Sequence, residues 1–77
     1  MDAYRRDLVN RLFVEATALL EDATEAASAG QSPDLTAADC MKLALRIHRA
    51  AKEISALAEA SLIVTGIDLD NARRRRR

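Results

Sequence analysis

Two long stretches of helical periodicity, each free of proline, stand either side of one short polar turn, and this arrangement restricts the chain more than any other feature. From Tyr4 onward apolar residues recur at helical spacing through Leu8, Leu12, Ala16, Leu19 and Ala23, with Val9, Phe13, Leu20 and Ala27 widening the stripe. A second stretch runs through Leu43, Ala44, Ile47, Ala51, Ile54, Leu57, Ala58 and Leu62. Steps of three and four residues keep side chains on one face of an α-helix, so both stretches predict long amphipathic helices.

The punctuation agrees. Asp2 is placed to cap the first helix, and Gly30 stands where a helix end favours a residue tolerant of positive φ. Gln31, Ser32, Pro33 and Asp34 make the turn. Thr36 and Asp39 have capping-box spacing, with aspartate in the usual Glu/Gln place, while Leu35 and Cys40 hold the positions of a hydrophobic staple. Gly66, followed by Ile67, marks the second helix end. The expected layout is a helical hairpin over residues 1–67, with helices at about 3–29 and about 37–65 and a turn at 30–35; residues 68–77 form a C-terminal arm. A connection this short favours antiparallel neighbours.

Charge favours the same pairing. The first helix is basic early (Arg5, Arg6, Arg11) and acidic late (Glu21, Asp22, Glu25). The second is basic early (Lys42, Arg46, Arg49) and more acidic late (Glu53, Glu59). Folded back, the hairpin sets acidic beside basic at both ends, although each exposed pair is worth only about 0–1 kcal/mol.

Small residues form columns at seven-residue intervals: Ala37, Ala44, Ala51 and Ala58 on the second helix, and Ala16, Ala23 and Gly30 on the first. Facing columns of this kind let two backbones approach closely, so Ala16, Ala23, Ala44, Ala51 and Ala58 are read as the hairpin seam. On that reading Ala51→Leu would force the backbones apart. The competing reading is that alanine is the best helix former and falls into such columns by chance.

An alanine seam leaves large apolar side chains over. Leu8, Leu12, Phe13, Leu19, Leu43, Ile47, Ile54 and Leu57 are read as an oligomer interface, since burying each such side chain contributes about 1.5–3 kcal/mol. With 77 residues and a single cysteine, the chain has no internal disulfide to support it. The expected fold is therefore all-α: an antiparallel two-helix hairpin dimerising into a four-helix bundle with two-fold symmetry. In length, short turn and heptad spacing alone the chain resembles small dimeric helical hairpins. No residue motif accompanies that resemblance, so it implies a plan and no function.

Groups able to carry chemistry are few. Cys40 and His48 are eight residues apart, about 12 Å along a helix, too far to share one ion. Zinc sites supply three or four closely spaced ligands. Cys40 near a helix start fits a packed small hydrophobe, with an activated thiol as the alternative, and His48 fits a seam-edge residue bonded to a carboxylate. No glutamate precedes His48 at the Glu-x-x-His spacing of di-iron bundles, and there is no glycine-rich phosphate loop. The expectation is a non-enzymatic protein with no cofactor and no metal.

The sharpest charge feature is the run Arg73, Arg74, Arg75, Arg76 and Arg77. It brings the formal net charge to zero, while the rest of the chain has five more acidic than basic residues. Such a run suits non-specific phosphate contacts with nucleic acid, or docking on an acidic protein. No aromatic residue interleaves with the arginines for base stacking. Apolar runs are too short for a bilayer. A lone thiol with no secretory leader fits a reducing cytoplasm. The function expected is a small homo-oligomeric interaction or scaffold module. One alternative is a nucleic-acid accessory protein using the arginine arm, and a weaker one is a metal- or redox-responsive dimer.

Overall fold

A computed structural model describes residues 1–66, and within them the chain is an all-helical hairpin. Helix α1 is Ala3–Ala29 and helix α2 is Ala37–Val64, of 27 and 28 residues. At 1.5 Å per residue each is about 40 Å long. The arginine run Arg73–Arg77, Ile67 and the rest of the arm lie outside the described residues.

The helix starts are local chemistry. Asp2 is extended, and its Oδ1 accepts a hydrogen bond from the Arg5 backbone N–H at 2.8 Å. At α2 the Thr36 hydroxyl oxygen accepts from the Asp39 N–H at 3.1 Å, and Asp39 Oδ2 accepts from the Thr36 N–H at 3.4 Å. This is a complete capping box, satisfying two amides that the first turn leaves without helical partners.

The two glycines differ. Gly30 does not take positive φ as expected. It stays right-handed at φ −67°, and its N–H donates to the Ala26 carbonyl at 3.0 Å. The chain leaves α1 by tighter turns instead, Gln31 N–H donating to Ser28 and Ser32 N–H to Ala29. Gly66 does adopt the left-handed region, at φ 85°, where a Cβ would be strained.

The burial pattern locates the seam. Along α1 the half-buried or buried residues include Val9, Leu12, Ala16, Leu19, Ala23 and Ala26, in steps of three and four. Along α2 they include Leu43, Ile47, Ala50, Ile54, Leu57, Ser61 and Val64, in the same alternation. These are two heptad seams facing each other. Ala16 and Ala23 lie on this seam. Ala44, Ala51 and Ala58 do not, which corrects the expected alanine column: all three are exposed, and the seam runs one residue earlier, through Leu43, Ala50 and Leu57. Size explains the choice. Turning α2 by one residue would put alanines inside and leave branched Leu and Ile side chains in water, and apolar burial is worth roughly 25 cal/mol per Å².

The expected interface residues are redistributed by the same rotation. Leu8, Leu12, Leu19, Leu43, Ile47, Ile54 and Leu57 are half-buried in the single hairpin, and of that group only Phe13 is exposed. The interior is nevertheless thin. Among the described residues the buried ones are Val9, Ala26, Ala50 and Ser61, and no large side chain is fully buried. Ser61 is satisfied inside the seam, its hydroxyl donating to the Leu57 carbonyl at 2.8 Å.

Candidate functional site

Each helix has two flanks beside its seam, and one contact shows how they pair. Asp22 directly precedes seam residue Ala23, and Arg46 directly precedes seam residue Ile47. Their side chains meet across the hairpin: Arg46 Nε donates to both Asp22 carboxylate oxygens at 3.2 and 3.1 Å, and Nη2 donates to Oδ1. Glu25 Oε2 stands 3.8 Å from the same Nη2. Residues preceding a seam position on either helix therefore share one flank. Because each step along a helix turns the side chain by about 100°, residues following a seam position share the other flank.

The first flank is charged. It holds Arg11, Glu15, Asp22 and Glu25 on α1, and Lys42, Arg46, Arg49 and Glu53 on α2. A shallow depression there is lined by Asp22, Lys42, Arg46, Arg49 and Glu53 over Leu19 and Ala50. A neighbouring one sets Glu15 and Glu53 over Leu19, Ala56 and Leu57. The hydrogen bond from Arg46 holds the Asp22 carboxyl below the ordinary carboxylate value, and the same bond raises Arg46. The bidentate geometry suits a guanidinium on a carboxylate, and the pair marks the register of the two helices. Both side chains remain partly exposed, as expected for a surface ion pair.

The second flank carries no Asp, Glu, Lys or Arg along most of its length. On α1 it presents Asn10, Phe13, Thr17, Leu20, Thr24 and Ala27; on α2, Ala44, His48, Ala51, Ser55, Ala58 and Leu62. Met41, seven residues before His48, extends it. Phe13 is 58% exposed, Leu20 53% and Met41 65%. Its two threonines bond back to their own helix. The Thr17 hydroxyl donates to the Phe13 carbonyl at 2.9 Å, and the Thr24 hydroxyl to the Leu20 carbonyl at 2.8 Å. Threonines bonded this way have satisfied their hydroxyls within the helix.

Of the residues singled out for chemistry, Cys40 and His48 are both exposed and are not brought together. The staple expected between Leu35 and Cys40 does not bury the thiol. His48 lies on the uncharged flank and not at a seam edge. Among the described residues no three His, Cys, Asp or Glu side chains converge as a metal site would require, and no helix is long and apolar enough to cross a membrane. The uncharged flank is the feature that the periodicity alone did not identify. Its signal is the absence of charge at residues that follow a seam position, which is readable only once the seam is known.

Neither a protein-family model, nor a curated protein, nor a solved structure matches this chain.

Proposed function

We propose that the protein is a non-enzymatic interaction module that works as a self-associated helical hairpin, with the uncharged flank as its contact surface. The observation supporting this is that one side of the hairpin, across both helices, presents Phe13, Leu20, Met41 and a column of alanines to solvent with no charged residue among them. Large apolar side chains exposed together on a face free of Asp, Glu, Lys and Arg suit a contact site. The thin interior points the same way, because a chain of this size gains stability most readily from a partner subunit.

A second copy is the simplest occupant. Two uncharged faces meet without like-charge repulsion, and closed two-fold dimers are the commonest assembly of soluble chains. The face also has adequate size. Two helices about 40 Å long and about 10 Å apart present roughly 800 Å², which is the area each partner buries in a standard protein interface.

Sedimentation velocity from submicromolar to tens of micromolar tests the reading. The expected result is a reversible rise in mass toward two or more chains, with a melting temperature that climbs with concentration. A single species at the monomer mass, with a concentration-independent melt over that range, would refute it.

A further inference from the structure

We infer that His48 makes the association of two copies pH-dependent, the chains pairing while its imidazole is neutral and separating once it is protonated; this rests on the self-association proposed above. From Asn10 to Ala27 on α1 and from Ala44 to Ala58 on α2, the residues that follow a seam position are Asn10, alanines, threonines, Ser55, Phe13, Leu20 and His48. On that stretch of the flank His48 is the one side chain able to gain a positive charge near neutral pH. It is also the single histidine of the whole chain. Imidazole ordinarily takes up its proton near pH 6.5, where carboxylates are already ionised and lysine and arginine are still charged.

The ring stands within the uncharged part of the flank. The Asp22–Arg46 contact puts those two residues at one height along the hairpin. With equal rise per residue on both helices, His48 is level with Leu20 across the flank, Ala44 with Thr24, and Ala51 with Thr17. His48 is exposed in the single hairpin, as is Leu20 beside it. A second copy lying over this flank covers both.

The charged groups around His48 do not offset a positive ring. Its neighbours one turn away on α2 are Ala44, Leu45, Ala51 and Lys52, of which only Lys52 is charged, and Arg49 follows directly. Both are cations. On α1 the acidic residues near its height are Glu21, Asp22 and Glu25. Asp22 and Glu25 turn to Arg46 on the other flank. Glu21 follows Leu20 and is turned about 100° further from the seam. Covering an imidazolium among alanines, threonines and Leu20 therefore removes its water and supplies no carboxylate on the flank in exchange, whereas the neutral ring carries no such penalty. The pair of chains binds fewer protons than two separate chains. Linkage then fixes the sign: acid favours the separate chains, and association strengthens as pH rises through the imidazole range.

Sedimentation equilibrium of the full chain at pH 7.5 and pH 5.5 tests this, with circular dichroism at both values reporting helix content. Each dimer covers two rings, so the dissociation constant is expected to rise by about 10- to 100-fold at the lower pH while helix content holds. His48→Gln, neutral at both values, should associate with a constant that changes less than about twofold between them. His48→Lys, charged at both, should associate weakly at both, like the acidified wild type. A wild-type constant that is the same at the two pH values, a His48→Gln chain that keeps the wild-type pH dependence, or a His48→Lys chain that pairs as tightly as wild type at pH 7.5 would each overturn the role of His48 while leaving self-association intact. A wild-type chain that is monomeric at both pH values would overturn both.

Discussion

The Asp22 carboxylate and the Arg46 guanidinium, separated by 24 residues, form a bidentate ion pair that joins the acidic end of α1 to the basic start of α2. Each is the residue just before a seam position, so the pair marks the register and distinguishes a charged flank from an uncharged one. The charge gradients, which run against both helix dipoles, find their reason here at one end of the hairpin. At the other end the arginines turn to their own helix: Arg5 lies near Asp2, and Arg11 pairs with Asp7 at 3.2 Å.

That pair predicts an acid-sensitive term in stability. The Arg46 hydrogen bond lowers the Asp22 pKa in the folded chain. A carboxylate with a depressed folded value contributes stability that is present above its unfolded value of about 3.9 and lost as pH falls through the folded one. Urea melts at pH 7 should find Asp22→Asn less stable than wild type, with the gap closing below pH about 4. Parallel stability profiles for the two proteins across that range would mean the pair contributes nothing.

Ala50 and Ala51 are neighbours with opposite surroundings: Ala50 is 4% exposed on the seam, and Ala51 is exposed on the flank. At concentrations where the chain is a monomer, Ala50→Leu should cost about 1–3 kcal/mol by overpacking. Ala51→Leu should stay within about 0.5 kcal/mol of wild type. Chemical denaturation followed by helical circular dichroism compares them. Equal losses would place the seam between the two positions and refute the register described.

The capping box at α2 should matter in proportion to the two bonds it makes. Thr36→Ala removes the acceptor for the Asp39 N–H and is expected to lower stability by about 1 kcal/mol. Thr36→Ser keeps an acceptor and should restore most of it. Hydrogen exchange at the Asp39 amide gives a local readout, with faster exchange expected in the alanine variant alone.

Gly30 and Gly66 should respond in opposite directions to alanine. Gly30 is right-handed, and an added Cβ would meet the Ala27 carbonyl oxygen at 3.4 Å and Leu43 Cδ1 at 4.0 Å, which are ordinary contacts. Gly30→Ala should stabilise by about 0.4–1 kcal/mol through a less flexible unfolded chain. Gly66→Ala forces a Cβ onto φ 85° and should destabilise. Thermal melts of the two variants check the signs, and a drop for Gly30→Ala would show strain absent from the geometry described.

The elements of this protein follow from local sequence. The amphipathic spacing from Leu8 to Ala23 and from Leu43 to Leu62 needs nothing beyond a helix to explain it. Asp2, and Thr36 with Asp39, begin their helices through bonds made within a few residues. The rotation of each helix about its own axis required the tertiary structure. On α2 the pairs Leu43–Ala44, Ala50–Ala51 and Leu57–Ala58 put two adjacent apolar columns side by side, one helix step of about 100° apart, and periodicity permits either to face inward. The contest is settled between chain segments: burial favours the column whose neighbours are Ile47 and Ile54, and in that rotation Arg46 reaches Asp22. The alanine column thereby moves from the seam to the surface. The tertiary structure alone decides which apolar groups close the hairpin and which stay exposed, because one wide apolar stripe does not record the division.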